Sequence, residues 1–392
     1  MQNKNKNNSN IKKEIFSIIY YQILGAIICL FILYILAGRK NYFKLYKDLN
    51  KVIDTYDTIT KDYYGKIDKS TLVDNAVNAM TESVKDVYTN YSDEKEATTF
   101  MENVEGTYEG IGVSVSSKDG KITIIKVFDN SPAAKSGLKE KDVIIKIDGK
   151  DFTNKTSSDI AKYIKENKNK TMKLTILRNN KEKEISITRK TVAMPTVSSK
   201  IVDEDKKIGY IRITIFSTVT EKQFTEELKK LEKKNIKALI IDLRNNSGGY
   251  LNVVTNITSQ FLEKGKIIYQ LKNDTTTTKI KDTTKEKRTY PVAILANRAS
   301  ASASEIMTAA LKESYGGYVI GTNTYGKGTV QKTKKLSDGS MIKYTIEKWL
   351  TPKGKWINEV GVAPTEYIEF DSSKEEDNQL SKAINILQEK LK

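Results

Sequence analysis

The sequence contains no histidine and only one cysteine among its 392 residues. Without histidine the chain cannot form a Ser-His-Asp or Cys-His catalytic site or a histidine-ligated zinc site, and it has no side chain whose ordinary pKa lies near neutrality. One cysteine cannot form an internal disulfide, a zinc ribbon or an iron–sulfur site. Any acid or base chemistry must therefore come from a carboxylate, a lysine or a tyrosine.

Positive charge is in excess, with 66 Lys and Arg against 49 Asp and Glu and a formal net charge of +17. The lysines are spread along the whole chain, whereas a nucleic-acid site gathers them into one basic patch with interleaved aromatic residues. The excess therefore predicts a well-solvated surface rather than a nucleic-acid site. We expect no nucleic-acid partner, and the length predicts two or three domains.

An uncharged apolar run extends from Ile15 to Ala37. At about 1.5 Å per helical residue it can cross a hydrocarbon core of about 30 Å. The alternatives are a cleaved signal peptide and a buried core helix, but the run is longer than a usual signal core, has no convincing A-x-A site and shows no polar face. The sequence predicts a transmembrane helix over residues 15–37, after a cytoplasmic tail over residues 1–14. Cys29 lies in mid-span.

The charges on either side of this run do not decide its orientation, because basic residues are balanced across it. The large body that follows the run is compatible with export from the cytoplasm. The basic residues are Lys4, Lys6, Lys12 and Lys13 before the run, and Arg39, Lys40, Lys44 and Lys47 after it.

The periodicity of the chain changes after residue 103. Over residues 41–103 apolar residues recur at three- and four-residue steps, which predicts helices. Over residues 104–190 short strands alternate with turns, beginning with a strand at Gly110–Val115, and they are interrupted by a helix at Ser157–Glu166. Together with a turn and helix at Ser131–Leu138, this order resembles a PDZ domain.

The segment Tyr108–Val113 contains glycines that let successive backbone N–H groups converge on a carboxylate, beside a strand edge that can accept a peptide. The alternative is that these glycines only form a tight turn at the start of the strand. The PDZ resemblance implies that this loop binds a peptide C-terminus. The residues concerned are Gly110, Ile111, Gly112 and Val113.

From Lys207 onward strands and helices alternate, and the buried strands Ala238–Leu243 and Pro291–Ala296 are apolar on both faces. This pattern predicts an α/β layer structure, in which ligands gather at the carboxyl ends of strands. Three unusual segments lie at such ends. They are Asp242–Gly249, Ala299–Glu305 and Gly326–Gln331.

Each of the three segments has a simple structural explanation when it is taken alone. The double glycine Gly248-Gly249 can be a plain turn, and Ser302 with Glu305 has the spacing of a helix capping box. Lys327 between two glycines can be an exposed edge-strand lysine, although positions 327 and 331 share one face of an extended chain. The functional interpretation depends on the three segments together.

In order, Asp-Leu-Arg-Asn-Asn-Ser-Gly-Gly, Ser-Ala-Ser-Ala-Ser-Glu-Ile and Tyr-Gly-Lys-Gly-Thr-Val-Gln resemble the motifs of the carboxyl-terminal processing peptidases, also called tail-specific serine proteases. The likeness extends from about Tyr42 to Lys392. It implies a multidomain α/β fold with a ClpP/crotonase-like protease core over residues 191–392, including a C-terminal tail and helix. A PDZ domain over residues 104–190 is inserted after the helical part, 41–103.

Carried over residue by residue, the resemblance implies that Ser302 is the nucleophile, Lys327 the general base and Gln331 the residue that orients the lysine. It places the oxyanion hole at the amides of Ala303 and Gly248, with Gly249 as the second choice. Two positions depart from the family pattern without removing a reacting group, namely Ser247 and Ala299. The resemblance implies no metal and no organic cofactor.

A lysine with an ordinary pKa near 10.4 is mostly protonated at neutral pH and cannot act as a base. Burial would have to lower the pKa of Lys327 toward about 7–8, at a cost on the order of 4 kcal/mol. The proposed chemistry therefore requires a dry environment around this lysine.

The predicted function is that of a membrane-anchored serine endopeptidase that binds protein C-termini through its PDZ domain and processes or degrades extracytoplasmic proteins. The expected partners are polypeptides with accessible C-termini and the membrane, and the sequence leaves a homodimer open. The alternatives are a catalytically inactive PDZ scaffold and a crotonase-like enzyme that acts on a thioester.

Overall fold

The computed structural model describes residues 2–38, 42–167 and 169–392. It divides into two compact units, one ending at Met80 and the other beginning at Thr81. The first unit contains α1 (Gln2–Gly38), α2 (Tyr42–Asp62) and most of α3 (Lys69–Glu82). Residues 39–41, which include two of the flanking charges and the predicted start of the helical part, lie outside the described residues.

Within α1, Ile15–Ile35 forms an exposed apolar helix that is long enough to cross a membrane. The sequence predicts such a helix over residues 15–37, and the structure agrees within two residues. A signal sequence near the N-terminus can also form an apolar helix of this kind, so the helix is compatible with either an anchor or a leader.

The second unit begins in the predicted helical region and continues to the C-terminus. Its elements, in chain order, are β1 (Asn90–Ser92), α4 (Glu94–Glu105), β2 (Thr107–Gly110), β3 (Val113–Lys118), β4 (Lys121–Val127), α5 (Pro132–Lys135), β5 (Val143–Ile147), β6 (Lys150–Asp151), α6 (Ser157–Glu166), β7 (Thr171–Arg178), β8 (Lys181–Thr188), β9 (Lys190–Ala193), β10 (Val197–Asp203), β11 (Ile208–Ile213), α7 (Thr220–Lys233), β12 (Ala238–Asp242), α8 (Leu251–Ser259), β13 (Ile267–Lys272), β14 (Thr277–Lys281), β15 (Val292–Ala296), α9 (Ala303–Ala310), a π-helical turn (Leu311–Tyr315), β16 (Tyr318–Gly321), β17 (Thr329–Lys335), β18 (Met341–Leu350), β19 (Glu366–Tyr367) and α10 (Asn378–Lys390).

The segment between β2 and β9 is inserted into the rest of the unit. β2 and β9 pair antiparallel, with Thr107 opposite Ala193, so the chain enters and leaves the segment through adjacent strands. Between them β3, β4, β5, β7 and β8 form an antiparallel sheet, with β6 beside β5. Alternate residues of its strands, such as Ile122 and Ile124 on β4, are fully buried. The segment therefore has a hydrophobic core of its own.

The strand predicted over Gly110–Val115 is wrong in one respect, because the structure divides it. β2 ends at Gly110 and β3 begins at Val113. Gly112 makes the break with a φ of +83°, and a Cβ at this position would lie 2.3 Å from the Cβ of Ser131. Only glycine fits such a turn, and the alternating pattern of the sequence does not reveal the change of direction.

The rest of the unit is organised around a sheet with the order β10-β11-β12-β15-β16-β19, in which the last five strands are parallel. β12 and β15 are buried on both faces, as their apolar sequences predict. One face, which includes Leu239 and Ile241, packs in a core with α7, α8 and α9. The other face, which includes Ile240, packs on α10 through Ala383 and Leu387.

A second sheet lies beside α9 and is formed by β1, β18, β13 and β14, with β17 also paired to β18. It joins chain segments that are far apart in sequence, since Tyr91 of β1 lies opposite Ile342 of β18. The long polar tract after β13 forms the tip and return strand of the β13–β14 hairpin. Trp349 of β18 is fully buried against the main core.

Arg244 ties the end of β12 to the start of α10. Its guanidinium lies 2.7 Å from a carboxylate oxygen of Asp242 and 2.7 Å from one of Asp377. Asp242 is completely buried and also accepts a hydrogen bond from Tyr210 at 2.7 Å. A buried carboxylate without its cation is strongly unfavourable, so this network fixes the strand end from which the Asp242–Gly249 segment starts.

We expect Arg244→Met to lower the free energy of unfolding by about 3–5 kcal/mol, because it leaves a buried carboxylate unpaired. Arg298→Met is the matched control: its side chain is 77% exposed and pairs with Glu369 at 3.4 Å, and such exposed pairs contribute less than about 1 kcal/mol. Urea unfolding of the full-length protein in detergent, followed by tryptophan fluorescence, measures both. Equal losses in the two variants would contradict the role given to Arg244.

Candidate active site

The three unusual segments follow neighbouring parallel strands. Asp242–Gly249 follows β12, Ala299–Glu305 follows β15, and Gly326–Gln331 follows β16. β15 lies between β12 and β16 in the sheet. Because the carboxyl ends of adjacent parallel strands meet at one edge, the topology brings the three segments together.

They enclose a cavity of about 910 Å³. Other parts of its wall come from α4, α8, α9, β13, β17 and β18. All six residues that the sequence predicts for the catalytic site and oxyanion hole, the second choice included, line this cavity: Ser302, Lys327, Gln331, Gly248, Gly249 and Ala303.

Ser302 has an unusual backbone conformation, with φ 53° and ψ −114°. A residue other than glycine is rarely found there, and such strain is common at functional sites. The residue directly precedes α9, and its N–H donates to Oε2 of Glu305 at 2.8 Å. Ala303 begins the helix, so its amide has no acceptor within the helix and lies at the positive end of the helix dipole.

The double glycine packs directly against this serine. Gly248 has a φ of +109°, and a Cβ on it would lie 2.9 Å from the Cβ of Ser302 and 3.1 Å from the amide nitrogen of Ala303. The Gly248 amide donates to Oδ1 of Asn246 at 2.9 Å. One of the two predicted oxyanion donors is therefore engaged by a neighbouring side chain in this structure.

The sequence predicts only that Glu305 forms a helix capping box with Ser302. In the structure Glu305 has a larger part in the site. Its buried carboxylate also accepts from the hydroxyl of Thr324 at 2.6 Å and from the amides of Gly326 at 2.6 Å and Lys327 at 2.9 Å. Burial raises the pKa of this carboxyl group, and the hydrogen bonds, which lower it, only partly offset that effect. One carboxylate thus joins the turn that carries Ser302 (the serine turn) to the loop that carries Lys327 (the lysine loop).

Burial lowers the pKa of Lys327 to about 8, and the positive charge of Lys343 lowers it further, whereas Asp86 and Glu305 act in the opposite direction. The Lys327 ammonium nitrogen lies 4.7 Å from the centroid of the Tyr88 ring. Burial also raises the pKa of Tyr88, to about 12. The lysine therefore has the partly dry surroundings that a neutral amine needs.

Three of these neighbours, Asp86, Tyr88 and Lys343, are not identified as site residues by the sequence. Asp86 and Tyr88 precede β1, which is paired with the strand that carries Lys343. Nothing in the local pattern indicates that this early segment reaches the cavity, because the pairing of β1 with β18 joins residues that are far apart in sequence.

Gln331 is positioned by threonines. Its side-chain amide donates to the hydroxyls of Thr329 at 2.8 Å and Thr345 at 3.2 Å. Thr345 in turn donates to Oδ2 of Asp86 at 2.5 Å. Gln331 and Lys327 both line the cavity. The hydrogen bonds described for Gln331, however, lead to Asp86 and not to Lys327.

A second and smaller cavity, of about 180 Å³, lies in the inserted segment between β3 and α6. Of the residues predicted to bind a peptide C-terminus, Gly110, Ile111 and Val113 line it, and Gly112 forms the turn between them. The other lining residues are mostly apolar, including Ile144, Ile160 and Ile164. We refer to this cavity as the PDZ groove.

In the part of the chain that the structure describes, no group of three or more His, Cys, Asp or Glu residues could hold a metal ion.

Comparisons with known sequence families match three parts of the chain. Residues 207–368 match Peptidase family S41, and residues 110–188 match the PDZ domain. Residues 36–96 match the N-terminal domain of the activating protease CtpB. The order of the three matches follows the order of the structural segments.

Two relatives from Bacillus subtilis (strain 168) align over most of the chain. The carboxy-terminal processing protease CtpA is 38% identical over 331 residues, which are 84% of this chain and 71% of CtpA. The carboxy-terminal processing protease CtpB is 37% identical over 323 residues, which are 81% of this chain and 67% of CtpB. A solved structure from Bacteroides fragilis NCTC 9343, assigned to the S41 proteases, has a similar fold with a TM-score of 0.51 at 16% identity, covering 84% of this chain and 91% of that chain.

Competitive labelling of the full-length protein with acetic anhydride should show Lys327 titrating near pH 8. Lys343→Met should raise this midpoint, because it removes a positive neighbour, and Asp86→Asn should lower it, because it removes a negative one. Lys334→Met, on the exposed part of β17, should leave it unchanged. A midpoint near 10.4, the value of an ordinary lysine, would show that the cavity does not desolvate Lys327.

Proposed function

Because the chain belongs to the carboxy-terminal processing proteases of peptidase family S41, we propose that it cleaves polypeptides with a dyad of Ser302 and Lys327. Membership of the family makes the protein a serine-type peptidase with a PDZ domain. The observation that carries the dyad is that Lys327, with a pKa of about 8, lines the same cavity as a strained serine at a helix N-terminus.

In the proposed mechanism the Ser302 hydroxyl attacks a peptide carbonyl carbon while neutral Lys327 takes its proton. The bond from Oγ to the carbonyl carbon forms, and the carbonyl π electrons move to oxygen. Collapse of this oxyanion expels the amine, which receives the proton from Lys327. Water then attacks the acyl-enzyme with Lys327 again as base, and Ser302 is regenerated.

The oxyanion would be held by the amides of Ala303 and Gly248. The Ala303 amide is suited to this role because it lies at the start of α9, where the helix dipole favours negative charge. The Gly248 amide would have to exchange Oδ1 of Asn246 for the oxyanion. Gly249, which also lines the cavity, is the second choice for this donor.

Gln331 is proposed to orient Lys327. Its amide is held by Thr329 and Thr345, and Thr345 is held by Asp86, whose charge acts on Lys327. A change in this hydrogen-bond chain would thus alter both the position of the amide and the field of Asp86 at the base.

The PDZ groove is proposed to bind the C-terminus of a polypeptide substrate through Gly110, Ile111, Gly112 and Val113. Glycines allow the backbone amides to approach a carboxylate, and β3 offers a strand edge beside them. The apolar lining of the groove suits an apolar terminal side chain. The substrate would be captured there and cleaved at Ser302.

The architecture and location are proposed as follows. The parallel sheet covered by helices on both faces supports a ClpP/crotonase-like core over residues 191–392, preceded by the PDZ domain over 104–190 and the helical part over 41–103. Ile15–Ile35 would anchor the chain in the membrane, with residues 1–14 in the cytoplasm and the catalytic part outside it. A homodimer is compatible with this arrangement.

Ser302→Ala should abolish casein cleavage by the full-length protein in detergent, and Lys327→Ala should strongly reduce it, while both variants stay folded. The lysine variant should lose about 10²–10⁴-fold in rate, as expected for the loss of a general base. Ser337→Ala and Lys334→Met, at exposed positions outside the cavity, serve as matched controls. If both dyad variants digest casein as fast as the parent, the catalytic assignment is wrong.

The same proposal predicts that kcat/KM rises by about tenfold per pH unit below pH 8 and levels off above it, since only neutral Lys327 is a base. Lys343→Met should shift the profile to higher pH, because the pKa of Lys327 rises when the positive neighbour is removed. The rate of peptide cleavage measured from pH 6 to 10 tests this. A flat profile in the parent, with chemistry rate-limiting, would count against Lys327.

A further inference from the structure

The PDZ groove contains an ion pair that joins two separate elements. The ammonium of Lys165, at the end of α6, lies 2.9 Å from Oε1 and 2.8 Å from Oε2 of Glu102, on α4. Both residues line the groove, and Lys165 is the one cation among its lining residues. A carboxylate of the protein itself is thus bound by the cation of the proposed substrate site.

The identity of the groove's ligand follows from the proposed function, on which this inference rests. A peptide C-terminus brings a carboxylate and an apolar side chain. The groove supplies apolar walls, the glycine loop and Lys165, and carboxylates bind most strongly where a cation and N–H donors converge. Glu102 presents to Lys165 the same chemical group that a substrate would present.

The two partners of the pair are held differently. Arg189 donates to the backbone carbonyls of Ile164 and Lys165, the latter at 2.6 Å, so the backbone below the lysine is fixed within the PDZ domain. Glu102 comes from outside the domain. The side chains of Lys165 and Glu102 are 52% and 31% exposed, and exposed pairs of this kind are weak and easily exchanged.

We propose that Glu102 is a built-in competitor, which occupies Lys165 until the C-terminal carboxylate of a substrate displaces it. The lysine keeps its place and exchanges one carboxylate for another. The exchange makes a free C-terminus, rather than an internal apolar segment, the ligand of the groove. It also breaks the ion pair between α6 and α4, and α4 carries Phe100, Met101 and Val104 into the wall of the cavity at Ser302.

The test measures binding to the full-length Ser302→Ala protein in detergent by fluorescence anisotropy. The probes are a labelled peptide ending in Leu-Ala-Val with a free carboxylate and the same peptide with a C-terminal amide. Glu102→Gln should bind the free acid about two- to sixfold more tightly, because a weak competitor is lost. The affinity for the amide should change little.

Lys165→Met should weaken binding of the free acid by about tenfold or more, the usual loss for a charged hydrogen bond. The ratio of the two affinities should then approach one. Lys162→Met, on an exposed position of the same helix outside the groove, is the matched control and should retain the preference for the free acid.

Exchanging the two charges distinguishes the proposed competition for Lys165 from a structural clamp, that is, an ion pair that only holds α4 and α6 together. The double variant Glu102→Lys with Lys165→Glu can rebuild the ion pair, but it moves the carboxylate to the fixed position on α6 and the cation to α4. Competition for the lysine predicts that this variant fails to bind the free acid. A structural clamp predicts that it binds as the parent does.

Parent-like affinity in Glu102→Gln, or an unchanged acid-to-amide ratio in Lys165→Met, would overturn the proposed exchange while leaving the peptidase assignment intact. If the parent binds neither peptide, the PDZ part of the proposed function fails, and the exchange fails with it. Casein cleavage by the protein with Ser302 restored shows separately whether the catalytic dyad stands.

Discussion

The buried carboxylate of Glu305 is the interaction on which the geometry of the site depends. It accepts hydrogen bonds from the amide of Ser302 and from the loop of Lys327, which follow two different strands. Such a carboxylate is tolerated in the interior only while its donors remain in place. The requirement to satisfy this group therefore fixes the position of the serine turn relative to the lysine loop.

The sequence predicts the parts of the fold and site that depend on local patterns or on topology. β12 and β15 are predicted because buried parallel strands are apolar throughout, and the meeting of Gly248, Ser302 and Lys327 follows from adjacent strand ends. The contacts of Asn246 with Gly248 and of Asp86 with Thr345 could not be predicted, since they depend on side-chain directions and on pairing between distant segments. For the same reason the sequence identifies Glu305 only as a cap.

α4 connects the cavity at Ser302 with the PDZ groove. Phe100 and Met101 line the catalytic cavity, while Glu102 lines the PDZ groove. Under the proposed exchange, a displacement of this helix at the PDZ groove would reach the wall of the cavity at Ser302. The ends of the inserted segment support this arrangement, because β2 follows α4 directly and is paired with β9. The PDZ domain is thus attached where it can act on the wall of the cavity.

The absence of histidine makes the hydration of the cavity part of the chemistry. With a pKa of about 8, roughly one Lys327 in ten is neutral at pH 7. A cavity of about 910 Å³ has room for water, and contact with water favours the ammonium form of a lysine. In the proposed mechanism, a polypeptide that fills the cavity would exclude water and lower the pKa of Lys327 further. With Lys327 as the proposed base, the substrate itself would thus complete the desolvation that its cleavage requires.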